Sequence, residues 1–276
     1  MSSSDLEVCD GADAGAWIRP RLGGEFGAVT LQVPKGYEAY ARIFHLASGP
    51  DGNPVRWAEV AEAVGTVAHR EMQWHAILGL AGPEELQGSY KADTESGPNW
   101  AGQDPPIGGM DIDTLDGLCK ILTSQTTDPA HCYFGLCTIQ SWLDSFSAQE
   151  LKPLLKLPME RDHVVLAGPL SAVDQIVRAY PARSPSSITF VARYGDKPLP
   201  EAEELQWERR EAPNLIWPAD RSWFVVSEVD FDSTLVGGSI ELIGSIVKSP
   251  GLEAWQVEPA DSLAADADQI NRPLAL

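Results

Sequence analysis

Hydrophobic and polar positions along this chain fall into short runs of two kinds. In residues 27–33, Val29, Leu31 and Val33 alternate with Ala28, Thr30 and Gln32, which predicts a half-buried strand. Pro34, Lys35 and Gly36 form a turn signal, and the aromatic-rich run 37–46 predicts a second strand, so 27–46 reads as a hairpin. A helical period takes over at 53–65. Asn53 suits a cap, Pro54 the first helical position and Gly65 the left-handed stop, with Trp57, Val60, Ala61 and Val64 on one stripe. Leu115, Leu118, Cys119 and Leu122 predict a helix over 113–125, and 132–139 reads as a strand. Residues 163–180 read as strand, tight turn and helix, with Ser171 as cap and Val173, Ile176, Val177 and Tyr180 buried.

Further strands are predicted at 187–194, 222–232 and 252–258. A short helix over 239–247 would turn Ile240, Ile243, Ile246 and Val247 inward, and the charged run 199–213 reads as an exposed connection or short helix. Helices and strands mix without a regular alternation. The expected class is therefore α+β: a mixed, mainly antiparallel sheet with about four or five helices packed on it.

Glycine and proline interrupt this pattern at 81–113, through Gly82, Gly88, Gly97, Gly102, Gly108, Gly109, Pro83, Pro98, Pro105 and Pro106. So long a loop marks a lobe boundary or a surface insertion, and Trp100 within it is expected to dock against something. The chain's 276 residues suit a single domain over 17–258, or two lobes divided near 81–113. Residues 1–16 carry Asp5, Glu7, Asp10 and Asp13 with no base, and read as an acidic tail. Residues 259–276 read as a second, continuing a base-free acidic run through 253–268.

Charge narrows the function classes. Forty Asp and Glu against 20 Lys and Arg leave a formal charge of −20, which repels phosphate backbones and anionic lipid, so neither nucleic acid nor membrane is an expected partner. The first residues lack the basic and apolar regions of a secretory signal and no run is long enough for a membrane span, so a soluble, cytoplasmic protein is expected. Cys9, Cys119, Cys132 and Cys137 are too scattered for a disulfide framework. Cys132 and Cys137, five apart in one strand, point to opposite faces and cannot share a metal. His45, His69, His75, His131 and His163 form no metal-ligand spacing, and no cofactor motif is present, so neither metal nor cofactor is expected.

What chemistry the pattern offers is concentrated in 213–239. Strand alternation over 222–232 puts Glu228, Asp230 and Asp232 on one face about 6–7 Å apart, where like charges invite a cation or acid–base work. Ser233, Thr234, Gly237, Gly238 and Ser239 follow, reading as a glycine-rich turn whose free amides face an anion at a helix start. Upstream, Trp217, Asp220, Arg221 and Trp223 read as structural anchors or as the wall of a pocket in which Arg221 clamps an anion. Trp217, Asp220, Arg221, Glu228, Asp230, Asp232, Ser233, Thr234, Gly237, Gly238 and Ser239 are thus the candidate ligand-binding set; no catalytic residue is assigned.

The run Trp217-Pro218-x-Asp220-Arg221-x-Trp223, followed by Asp230-x-Asp232-Ser233-Thr234 and Gly237-Gly238-Ser239, resembles an uncharacterised family of actinobacterial proteins. The resemblance covers residues 213–258 and brings no activity with it. On the residues alone, the leading expectation is a non-enzymatic acidic binding or interaction protein that meets a basic protein partner. The alternative is a small-molecule sensor or enzyme, taking a small polar ligand around 217–239.

Overall fold

A computed structural model describes residues 5–80, 82, 100–138, 147, 149, 153–158, 161–179 and 212–272. The expected strand at 187–194, Tyr180, most of the loop 81–113 and residues 199–211 lie outside these. The chain forms strands β1 (Glu7–Val8), β2 (Ala39–Phe44), β3 (Ala47–Ser48), β4 (Pro54–Val55), β5 (Cys132–Cys137) and β6 (Leu155–Leu157). These are followed by β7 (Arg161–Gly168), β8 (Leu215–Pro218), β9 (Phe224–Ser227), β10 (Ser233–Gly238) and β11 (Ala254–Val257). The helices are α1 (Gly11–Ala14), α2 (Val29–Gln32), α3 (Trp57–Val64), α4 (Trp74–Ile77), α5 (Ile112–Gln125), α6 (Val173–Ala179) and α7 (Ile240–Val247).

Among the described residues nine strands make one sheet in the order β1-β7-β5-β8-β9-β10-β2-β11, with β6 also on β7, and each of these pairings is antiparallel. The fold is therefore α+β as expected, with seven helices among the described residues where four or five were expected; three of them are single turns of four residues. Side-chain alternation splits the core between the two faces. Ile43, Phe134, Val164, Ile216, Val225 and Val236 pack under α5, α6 and α7, while Tyr40, Val165, Leu215, Trp217, Phe224 and Leu235 pack under the N-terminal segment and α2. A third cluster around Phe44, Trp57 and Trp74 joins α3 and α4 to the end of β2, and Trp100 docks edge-on against Trp74. Cys132 shares a face with Phe134, and Tyr133 packs on the other, as expected for that strand.

Local expectations failed where tertiary partners took over the backbone. Residues 27–33 form no hairpin strand: Val29–Gln32 make a helical turn, and Val29 and Thr30 donate their N–H groups to Asp261 and Pro259 carbonyls. Val29 and Val33 are four apart as well as two alternations apart, so both burial periods fit them. The second strand of that hairpin, β2, pairs instead with β10 and β11. Asn53 and Pro54 lie before helix α3, Pro54 in β4. Its first amides are capped from 195 residues away, as Trp57 and Ala58 N–H donate to Glu253 at 2.6 and 2.8 Å. Gly65 does take the left-handed stop, at φ 81°. Ser171 is no cap; it sits inside a 3₁₀ turn, Leu170–Ala172, that follows Pro169.

The acidic end segments are not free tails among the described residues. β1 pairs with β7, and the Asp10 carboxylate caps α1 by accepting from Asp13 N–H. Asp261 holds Arg70 at 2.8 Å, and Asp268 is buried against His69 at 2.9 Å and Gln73 N–H at 3.2 Å.

Candidate functional site

The segment 213–239 is a three-stranded meander, not a long strand and a turn. The chain leaves β9 at Ser227 because the Glu228 carboxylate accepts from Asp230 N–H at 2.7 Å, closing a tight turn before β10. Gly237 and Gly238, expected in a turn, are the last residues of β10. Antiparallel pairing of Gly237 with Phe224 and of Thr234 with Ser227 then divides the expected site. Asp220, Arg221, Gly237, Gly238 and Ser239 gather at one end of the strands. Glu228, Asp230, Asp232, Ser233 and Thr234 gather at the other.

At the second end every acidic group is matched. Arg161 on β7 donates Nε to Glu228 at 2.6 Å and Nη2 to Asp230. Asp232 faces Arg42 of β2 at 3.6 Å. The Arg42 guanidinium is wholly buried: Nε donates to Ser233 Oγ at 2.9 Å, Nη1 to the Met72 carbonyl at 2.9 Å, and Cζ lies 4.3 Å from the Phe44 ring centre. Burial lowers its pKa to about 10, against the pull of Asp232, and burial likewise raises Asp232 above the usual carboxylate range. Ser227 and Thr234 belong to a directed chain. His45 Nδ1 lies 2.8 Å from the Pro106 carbonyl, which can only accept, so Nδ1 carries the proton. Nε2 then accepts from Thr234 Oγ1 at 2.9 Å, and Thr234 lies 2.6 Å from Ser227 Oγ. Burial lowers His45 to about 4, so it stays neutral. Beside Arg161 is a shallow cleft of about 500 Å³, counted out to open solvent, with His163 in its wall; burial lowers His163 to about 4 as well.

The first end is different. Pro218 accepts from Arg221 N–H at 2.9 Å, closing a turn that holds Arg221 at φ 59°. Among the described residues no other non-glycine has a positive φ. That backbone places the Arg221 guanidinium 5.3 Å from the centre of the Trp17 ring, and Arg21 lies 5.5 Å from the same ring. Neither arginine forms an ion pair among the described residues, whereas Arg42, Arg70, Lys120, Arg161 and Arg272 all do. Asp220, next in sequence, forms no ion pair with either among the described residues, but it keeps its negative charge in the same neighbourhood, where it acts on Tyr37 against the two arginines. Its oxygens accept from Ser222 N–H at 3.0 Å and Thr127 Oγ1 at 2.8 Å, and these bonds hold its carboxyl below the usual range although burial pulls upward.

Beneath the arginines, Trp17 is 8% exposed, and both its Nε1 and the Tyr37 hydroxyl are buried without a hydrogen-bond partner. Burial pushes the Tyr37 phenol well up; Arg21 and Arg221 pull against that rise, and Tyr40 and Asp220 add to it. Gly237 makes this arrangement fit: a Cβ there would lie 2.5 Å from the Tyr37 ring and 2.8 Å from Val33. Lys35 lies on the adjoining turn, its backbone N–H donating to the Arg21 carbonyl at 2.9 Å.

Several expectations for the set 217–239 are therefore corrected. Trp217 is no pocket wall; it is fully buried, stacked on Tyr133 at 5.4 Å and Phe224 at 6.0 Å. The helix-start amides are occupied, since Leu242 N–H donates to Ser239 Oγ and Ile240 N–H to Glu38. Ile243 and Ile246 of α7 are buried as expected, but Ile240 is 63% exposed and Val247 is exposed too. Trp17, Arg21, Lys35 and Tyr37 were missed. Their signal was present: residues 17–36 hold Arg19, Arg21 and Lys35 against Glu25 alone, a local excess of base in an acidic chain.

No protein-family model, curated protein or solved structure matches this chain. Among the described residues no helix is long and apolar enough to cross a membrane, and no group of three or more His, Cys, Asp or Glu is placed to hold a metal ion.

Proposed function

We propose that this chain is a binding protein that holds an anionic ligand at its Arg21–Arg221 end, without covalent chemistry. One observation carries the reading. In a chain of formal charge −20, two exposed arginines share one indole ring and form no ion pair among the described residues, and the Nε1 of that indole and the Tyr37 hydroxyl are buried donors without an acceptor there. An orphaned buried donor is costly and carboxylates are abundant, so this concentration of spare donors calls for a function. Strained backbone at Arg221 points the same way. Burial raises the thiols of Cys9 to about 11 and of Cys119 and Cys132 to about 12, which keeps these three protonated near neutral pH.

Calorimetric titration with small anions tests the reading. Saturable binding is expected, weakened by Arg21→Ala and by Arg221→Ala but not by Asp230→Asn, which lies at the opposite end. Equal binding by all four proteins defeats it. A second reading, in which acidic faces steer a basic protein partner, is favoured by the exposed Glu59 and Glu62 of α3 and Asp113 and Asp116 of α5. It predicts capture that weakens steeply with salt and is indifferent to Arg221→Ala.

A further inference from the structure

We infer that the open edge of the sheet at β11 pairs with β11 of a second copy of this chain, antiparallel and in two-fold register about Trp255. The phase of the ladder shows which groups are open. Phe44 N–H donates to the Glu253 carbonyl at 2.8 Å, while His45 N–H donates to the Asp232 carbonyl on the other side of the same strand at 3.0 Å. With Trp255 opposite Arg42 and Val257 opposite Tyr40, that phase makes Trp255 and Val257 the residues that bond to β2. The N–H and C=O groups of Ala254 and Gln256 therefore point away from the sheet. β11 is the last strand in the order, and no described residue bonds to those groups. The strands at the far end of the sheet are two and three residues long, which blunts that edge. β11 has no such protection: its residues Ala254, Trp255, Gln256 and Val257 include no charge or proline, its register is regular, and Trp255 is 37% exposed.

The inventory of open groups selects the occupant and its register. Next in phase on either side are Leu252 and Glu258, and both N–H groups are taken, by the Ser249 carbonyl at 3.3 Å and the Asp261 carboxylate at 2.8 Å. A long extended partner thus finds only two residues to bond, and a copy of β11 offers the matching two. Ala254 of one copy opposite Gln256 of the other uses every open donor and acceptor on both sides, in four hydrogen bonds. A shift by two residues sets one of them against Leu252 or Glu258, whose amides are spent. The favoured register places Trp255 against its own copy at a non-hydrogen-bonded position, where side chains approach closest and aromatic pairs stabilise. Glu253 and Glu258 then face Val257 and Leu252 of the other copy, so no like charges are opposed.

Sedimentation of the full chain at rising concentration tests this. Reversible dimerisation is expected between about 10 µM and 1 mM, the range of a short interface. It strengthens as salt is raised, because each copy carries a formal charge of −20 that salt screens. Gln256→Pro removes an outward N–H and spares the β2 ladder, so two of the four bonds between copies are lost. The dimer weakens at least about tenfold, while the unfolding midpoint of the dilute monomer holds. Trp255→Cys sets two thiols across the axis at a Cα separation of about 4.5 Å, inside the disulfide range, so mild oxidation links the copies at position 255. Gln256→Cys, which faces Ala254, does not link. A chain that stays monomeric at about 1 mM in high salt overturns the inference. So does a Gln256→Pro dimer as tight as the parent's, or a Trp255→Cys chain that fails to link through that thiol.

Discussion

The two ends of the β8–β10 meander treat charge in opposite ways. At the β9–β10 turn, three carboxylates meet two arginines, and each guanidinium is spent on named oxygens: Arg161 on Glu228 and Asp230, Arg42 on Asp232, Ser233 and Met72. At the β8–β9 turn, two arginines meet a tryptophan ring and form no ion pair among the described residues. A buried charge without its partner costs several kcal/mol, so the first end is a fastening that loses much if disturbed. An exposed guanidinium on an aromatic face gains only about 0.5–1 kcal/mol from the contact, so the second can release it to a ligand at little cost. The acidic cluster that looked like a site is structure, and the basic residues beside a structural tryptophan carry the binding proposal.

Mutations can break or sharpen this contrast. The largest effect is expected from Arg42→Ala, which strips Asp232, Ser233 Oγ and the Met72 carbonyl of a buried donor. Urea unfolding should show a loss of about 3–5 kcal/mol, with anion binding unchanged in the folded fraction. A smaller loss would mean that water replaces the guanidinium.

Acid comes next. His45 and His163 are held neutral, their folded pKa values lowered by burial to about 4 from an ordinary 6.5. Between those values the unfolded chain binds protons that the fold refuses, so their contribution is complete above pH 6.5 and is lost as pH falls toward 4. Each shift is worth roughly 3 kcal/mol at most, set against an opposite contribution from Asp232 and Glu253, which burial raises. Stability measured by denaturant between about pH 7 and 5 should fall, and His45→Gln should flatten the slope. A pH-independent midpoint would contradict the burial of these rings.

Gly237→Ala drives a methyl into the Tyr37 ring and Val33. It should cost about 1–3 kcal/mol by overpacking and weaken anion binding by displacing Tyr37. The smallest stability change, and the one with the opposite sign, is expected for Arg221→Gly. Removing a side chain from a left-handed backbone should raise stability by about 1 kcal/mol while anion binding falls. Parallel loss of stability and binding would make Arg221 a fold residue and erase the difference between the ends.

Legibility in the sequence followed the range of the interactions involved. Helix α5, strand β5, the stop at Gly65 and the apolar run from Trp223 to Val226 were readable, the helix from its one buried stripe and the strand runs from apolar residues buried on both faces of the sheet. The turn at 228–232 was not, because Phe and Val among the acids keep up a strand rhythm while one carboxylate closes the backbone. The candidate site was half legible. Arg221 stood out within its motif, but its companions lie about 200 positions earlier in sequence and share no motif with it.

By itself the sequence determined the α+β class, the net acidity and most of the buried faces, since period and composition act through neighbours a few residues apart. Tertiary structure alone decided which charges are satisfied. Strand register sends Glu228, Asp230 and Asp232 to Arg161 and Arg42, and brings Arg221 over Trp17 beside Arg21. Electrostatic and hydrogen-bond partners act through space within a few ångströms, and the topology of the sheet sets which distant residues come that close.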